Sequence, residues 1–114
     1  MDDDAINHRS AITKAKVAVI GTLKVLPEQV QKLMPHLRTL VEASRLHEGC
    51  IAYDVAEDCF EAGVIRVSEL WDDRQCLERH IEHPDVPSWH AALRKFDVLD
   101  SEYVVLDVSG VTVI

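Results

Sequence analysis

Residues 15–41 read Ala15-Lys16-Val17-Ala18-Val19-Ile20-Gly21-Thr22-Leu23-Lys24-Val25-Leu26-Pro27-Glu28-Gln29-Val30-Gln31-Lys32-Leu33-Met34-Pro35-His36-Leu37-Arg38-Thr39-Leu40-Val41. The hydrophobic period changes partway along. Up to Leu26, Val17, Val19, Leu23 and Val25 alternate with Ala18, Thr22 and Lys24, which describes a strand with one buried face and with Ile20 adding apolar weight to the other. Pro27 then opens a helix at a position where a missing N–H costs nothing, and Glu28 sits beside the positive helix end. From there Val30, Leu33, Met34, Leu37, Leu40 and Val41 trace a helical stripe that keeps its phase across Pro35. Because Pro35 falls on the polar side with Gln31, Arg38 and Glu42, one bent helix is expected, ending at Gly49.

Working outward, residues 1–14 are polar and aperiodic and read as a mobile arm before a single domain over 15–114. Cys50–Ala56 is a short second strand with Ile51, Tyr53 and Val55 on one face. A polar turn leads to a third strand, Val64–Trp71, paired to the second as a hairpin. Asp72 or Asp73 caps a second helix carrying Cys76, Leu77, His80 and Ile81; Pro84 and Pro87 break it. Ser88 caps a further turn or two with Trp89, Leu93 and Phe96. Glu102–Val108 is the last strand, and Val111–Ile114 could extend or exchange it. The order βαββαβ defines an α+β domain with its helices on one side of an antiparallel sheet. The other side is then left apolar, and a second copy is the simplest cover, so a homodimer is expected.

Composition excludes several classes of function. A formal charge of −8 and a pI near 5.1 disfavour nucleic acid and anionic membranes as partners. No apolar run approaches the ~20 residues of a membrane span. Cys50, Cys59 and Cys76 form no CxxC and no disulfide framework, and the acidic start Met1-Asp2-Asp3-Asp4 is unlike a secretion signal, so the cytoplasm is the expected compartment.

Strand alternation puts Glu69 and Trp71 on one face, and His80 follows about two helical turns later. A carboxylate, an indole and an imidazole near one sheet end can make an aromatic-lined pocket with a proton acceptor. The structural alternative is that Trp71 fills the core, Glu69 pairs with Arg66 or Arg79, and His80 is an ordinary helix histidine. Cys76, His80 and His83 have the spacing of one helix face, but Pro84 frays that face and no second cluster completes a tetrahedron, so no metal site is expected. His8, His36 and His47 read as surface residues.

Glu48-Gly49-Cys50-Ile51-Ala52-Tyr53, Glu69-Leu70-Trp71, the helix residue His80 and the turn at Pro84 occur in the order and spacing of one family. Over about residues 15–108 the chain resembles antibiotic biosynthesis monooxygenases, with Asp85 where a histidine is usual. The resemblance implies a ferredoxin-like sandwich that pairs into a dimeric α+β barrel, with a pocket between sheet and helices. It also implies cofactor-free oxidation of a small phenol or quinol by molecular oxygen, without metal or flavin. A base of suitable pKa removes a proton and the anion passes an electron to oxygen. His80 is the candidate base, Trp71 the pocket wall and Glu69 the group that orients His80 or supports the strand; Tyr53, Trp89 and His90 are candidate substrate contacts. Haem-degrading members need an Asn on the first strand, where this chain has Val19 and Ile20, and a helix Trp near the place of His80. Polyketide oxygenases carry an Asn where this chain has Val67. An isomerase or degradative enzyme for a small polar metabolite, and a non-catalytic dimeric binding or stress-response module, remain as alternatives on the same fold.

Overall fold

In the computed structural model, which describes residues 11–114, the alternation of the first strand is fully expressed. Along β1 (Val17–Val25), Val17, Val19, Leu23 and Val25 are buried, while Ile20 is exposed. A 3-10 turn, Pro27–Gln29, leads into α1 (Val30–Ser44), which buries Val30, Leu33, Leu37 and Leu40 and keeps Pro35 on its exposed side. The helix ends at Ser44, not at Gly49. Gly49 instead turns the chain into the next strand at φ +79°, where a Cβ would collide with the side chain of Cys76.

β2 (Cys50–Glu57) and β3 (Val64–Trp71) form the expected hairpin. The register shifts between Cys50 and Ala52, so Cys50, rather than Ile51, packs against the core beside Tyr53 and Val55. Asp73 is the cap of α2 (Arg74–Glu82), accepting the backbone N–H of Cys76 at 2.8 Å. The region after Pro84 differs from expectation: α3 (Asp85–Leu93) is a full helix with Pro87 in its first turn, where no N–H is required. Ser88 is therefore not a cap, and its hydroxyl donates back to the Pro84 carbonyl at 3.0 Å.

β4 (Val98–Asp107) starts four residues before Glu102, because the polar Asp100 and Ser101 pair with Lys24 and Leu23 as the sheet edge. The strands lie in the order β2-β3-β1-β4, all antiparallel, which is the ferredoxin-like arrangement. Residues 1–10 of the expected arm lie outside the described residues; Ala11–Lys14 form a helical turn, with Lys14 N–H donating to the Ala11 carbonyl at 3.0 Å.

All three helices pack on one side of the sheet, and one cluster joins Leu33, Leu37 and Leu40 of α1, Leu77 of α2 and Trp89 of α3 to Val19, Ile65 and Trp71. The opposite side is apolar at one end only. There Ala18 lies between Leu70 and Leu106, and Ile20 lies between Ser68 and Val104. Its other end carries Lys24, Arg66 and Glu102. β4 is exposed along its whole length, including Tyr103 and Val105 on the helix side. Among the described residues, no helix is long and apolar enough to cross a membrane.

Candidate functional site

Register and helix placement create a cleft between the sheet and the helices. β3 contributes Val67 and Glu69, β2 contributes Tyr53 and Val55, and β4 contributes Ser101 and Tyr103. Leu37 and Leu40 of α1, His80 and Ile81 of α2, and Val86, Trp89, His90 and Leu93 of α3 close the other wall. The Tyr103 ring lies over Gly21 of β1, where any Cβ would strike it. The cavity measures about 210 Å³. A cavity of ~150 Å³ admits one benzene, so the space fits a single substituted ring.

Of the residues expected from sequence, Tyr53, Glu69, His80, Trp89 and His90 all border this cavity. Trp71 does not. It is fully buried in the core, and its indole N–H donates to Glu69 Oε1 at 2.9 Å. Trp71 is thus a support for the carboxylate and not a pocket wall. Neither arginine weighed as a partner reaches Glu69: Arg66 pairs with Asp58 at 3.2 Å and Arg79 with Glu48 at 3.7 Å. Glu69 does not orient His80: the carboxylate takes its hydrogen bond from Trp71, whereas His80 is bonded to His47.

Burial without a cation raises the Glu69 carboxyl to about 7, and the Trp71 N–H only partly offsets it. His80 moves the other way. Burial, then the neighbouring His47 and His83, hold its imidazolium down to about 4. The phenol of Tyr53 is raised far above its ordinary value, first by burial and then by Glu69, so it stays a neutral donor.

His80 is held by groups that the sequence did not single out. Its Nδ1 lies 2.8 Å from Nδ1 of His47, and His47 Nε2 lies 2.9 Å from Asp85 Oδ2. An ionised carboxylate can only accept, so Asp85 takes a hydrogen bond from His47 Nε2, and that bond holds its carboxyl below the usual carboxylate range. With one proton on each ring, His47 carries its own on Nε2 and His80 donates from Nδ1 to His47 Nδ1. That leaves Nε2 as the acceptor of His80. Aromatic faces fix the ring, with Trp71 at 4.7 Å and Tyr53 at 5.6 Å between centroids.

His47, read from the sequence as a surface residue, has a side chain only 9% exposed. In the sequence Asp85 stands out only as the replacement of a histidine. The combination weighed for a metal, Cys76 with His80 and His83, is not the one assembled: His83 is grouped with His47 and Asp85.

Comparison with known proteins bears on the fold and the family. A solved Deinococcus radiodurans structure, classed among antibiotic biosynthesis monooxygenases, superimposes with a TM-score of 0.81 at 28% identity, covering 86% of this chain and 97% of that one. A second solved antibiotic biosynthesis monooxygenase gives a TM-score of 0.74 at 27% identity, covering 81% and 97%. An uncharacterised Synechocystis protein is 32% identical over 68 residues, which span 60% of this chain and 46% of that protein, so the match reaches about half the length of that relative. The sequence profile described as antibiotic biosynthesis monooxygenase matches residues 16–92, and on that match the chain belongs to the antibiotic biosynthesis monooxygenase family.

Proposed function

We propose that this chain is a cofactor-independent monooxygenase for a single-ring quinol or related phenol, working as a homodimer, with Glu69 as the base. The observation that carries the reading is a buried carboxyl poised at about 7 on the wall of a one-ring cavity. A general base works best when its pKa lies near the working pH. A phenol ionises near 10 (the tyrosine value), so transfer to a carboxylate at about 7 is far less uphill than transfer to an imidazole at about 4. This moves the base from His80, the sequence candidate, to Glu69. The reason is that burial acts on the two groups with opposite sign.

His80 keeps a different task. Its Nε2 accepts a hydrogen bond from a ring hydroxyl, while His47 and Asp85 hold the imidazole in the accepting tautomer. Deprotonation by Glu69 gives an anion rich enough to pass one electron to molecular oxygen. After recombination, one oxygen atom enters the ring and the other leaves as water. The quinol supplies all four electrons and becomes a hydroxyquinone. Tyr53 and Trp89 supply a buried wall, and a partner covering Tyr103 would complete it, keeping the anion from being quenched.

The homodimer is supported by β4, whose Tyr103, Val104, Val105 and Leu106 are each more than 40% exposed on a strand without cover. A second reading is an isomerase acting on a small polar metabolite. It is favoured by Glu69 and His80 having pKa values pushed apart within one cavity, as an acid–base pair requires.

Oxygen uptake with a panel of hydroquinones tests the proposal. The expected result is uptake rising through an inflection near 7, with that limb abolished in Glu69→Gln and a lower plateau with the limb retained in His80→Ala. No uptake with any quinol rejects the monooxygenase reading. Uptake unaltered in Glu69→Gln rejects the base assignment.

A further inference from the structure

Beside the cavity, His47 Nε2, His83 Nδ1 and Asp85 Oδ2 lie within 4.8 Å of one another. Three segments meet here: the loop after α1, the residue that ends α2, and the first residue of α3. Asp85 Oδ2 is 2.9 Å from the His47 nitrogen and 3.0 Å from that of His83, and the two rings face each other at 4.1 Å. A tetrahedral zinc ion with bonds of ~2.0–2.1 Å to nitrogen and oxygen has ligand–ligand edges of ~3.3 Å. The cluster needs to widen by ~0.3–0.4 Å along those two edges and to close by up to ~1.5 Å along the His47–His83 edge, with the Asp85 N–H, 3.2 Å from His83 Nδ1, giving way; His83 and Asp85 are both partly exposed.

Two imidazoles and a carboxylate are a borderline ligand set that suits zinc and the ions sharing its preferences, and three ligands leave a fourth position open. Arg79, which borders the same depression, is turned toward Glu48 and Cys76, so no cation is aimed at the cluster by the contacts described.

We propose that His47, His83 and Asp85 bind a zinc-class divalent ion, and that occupancy reverses the hydrogen bond between His47 and His80. Without the ion, and with one proton on each ring, the His47 Nε2 proton goes to Asp85 and His80 donates to His47. With the ion on Nε2, His47 must carry its proton on Nδ1 and donate to His80 Nδ1. His80 then holds its own proton on Nε2. Each of the two rings keeps one proton, no net proton is gained or lost, and the cavity-side nitrogen changes from acceptor to donor. The ion therefore acts as a switch on the cavity. The binding site stands on geometry alone; the effect on catalysis rests on the monooxygenase reading.

Chelator-treated protein titrated with Co(II) reads binding through its visible d–d bands, independent of any oxygenase activity. The expected result is one saturable tetrahedral site, weakened about tenfold or more in both His83→Ala and Asp85→Asn. Side-chain 15N spectra with saturating Zn(II) should show the His80 proton moved from Nδ1 to Nε2. Absence of saturable binding, or binding that survives both substitutions, overturns the site. Binding with an unchanged His80 spectrum overturns the switch.

Discussion

Replacing Glu69 with Gln should make the protein more stable at neutral and alkaline pH, by an amount that grows between pH 4.5 and about 7 and then levels off. Glu69 rises from an ordinary value of 4.5 to about 7, chiefly because burial disfavours its charge. At 1.36 kcal/mol per unit, that shift corresponds to about 3 kcal/mol of stability lost once the group is ionised in both states. The sign follows from proton counts. Between 4.5 and about 7 the folded protein holds a proton that the unfolded chain has released, so stability falls as pH rises through that window. Above about 7 the full cost is present. Gln keeps a carbonyl for the Trp71 N–H and removes the charge, so it should escape the loss. Urea unfolding of both proteins at about pH 5 and about pH 8 should show the wild type losing about 2–3 kcal/mol more than the variant. Parallel pH dependences would refute the reasoning, because they would mean that Glu69 ionises as freely folded as unfolded.

Three further substitutions probe neighbouring parts of the structure. Trp71→Phe removes the one indole donor to Glu69 and should move the inflection of oxygen uptake upward by about one unit, since a hydrogen bond to a charged group is worth ~1.5–3 kcal/mol. Gly21→Ala places a methyl where the Tyr103 ring lies, and should lower the urea midpoint by about 1–3 kcal/mol equivalent with the slope unchanged. Leu106→Asp puts a charge at the apolar end of the uncovered face, and light scattering should show a dimer for the wild type and a monomer for the variant.

The parts of the fold legible in the sequence are those whose signal is local. The period of β1 and the stripe of α1 depend only on which residues face the core, and both stand as read. α3 was concealed by two prolines that are harmless in their actual places, just before the helix and within its first turn. The early half of β4 was concealed because an edge strand need not alternate. At the site, Glu69 and His80 were visible because they flank a clear strand and helix. His47 and Asp85 were not: the bonds of His47 join residues 33 and 38 positions apart, and nothing local marks either end. The inversion of base strength between Glu69 and His80 was equally out of reach, because it comes from burial and not from residue type.

Folding alone does not account for Glu69. At neutral pH a charge at this depth costs about 3 kcal/mol, a large share of the ~5–15 kcal/mol that holds a typical domain together. Glutamine would satisfy the same indole donor without that cost, and an apolar side chain would extend the core between Val67 and Trp71. A costly carboxyl kept free of any arginine, with one donor and a cavity in front of it, is therefore better explained by chemistry than by packing. The exposed inner side of β4 extends the same argument. Tyr103 and Val105 lie on the helix side of the sheet, but the helices stop short of them, leaving the cavity open at that edge. A partner covering β4 would remove water from Tyr103, a cavity wall, and would raise the Glu69 carboxyl further by desolvation. In a dimer that covered β4, assembly and the proton affinity of Glu69 would be linked through this one strand.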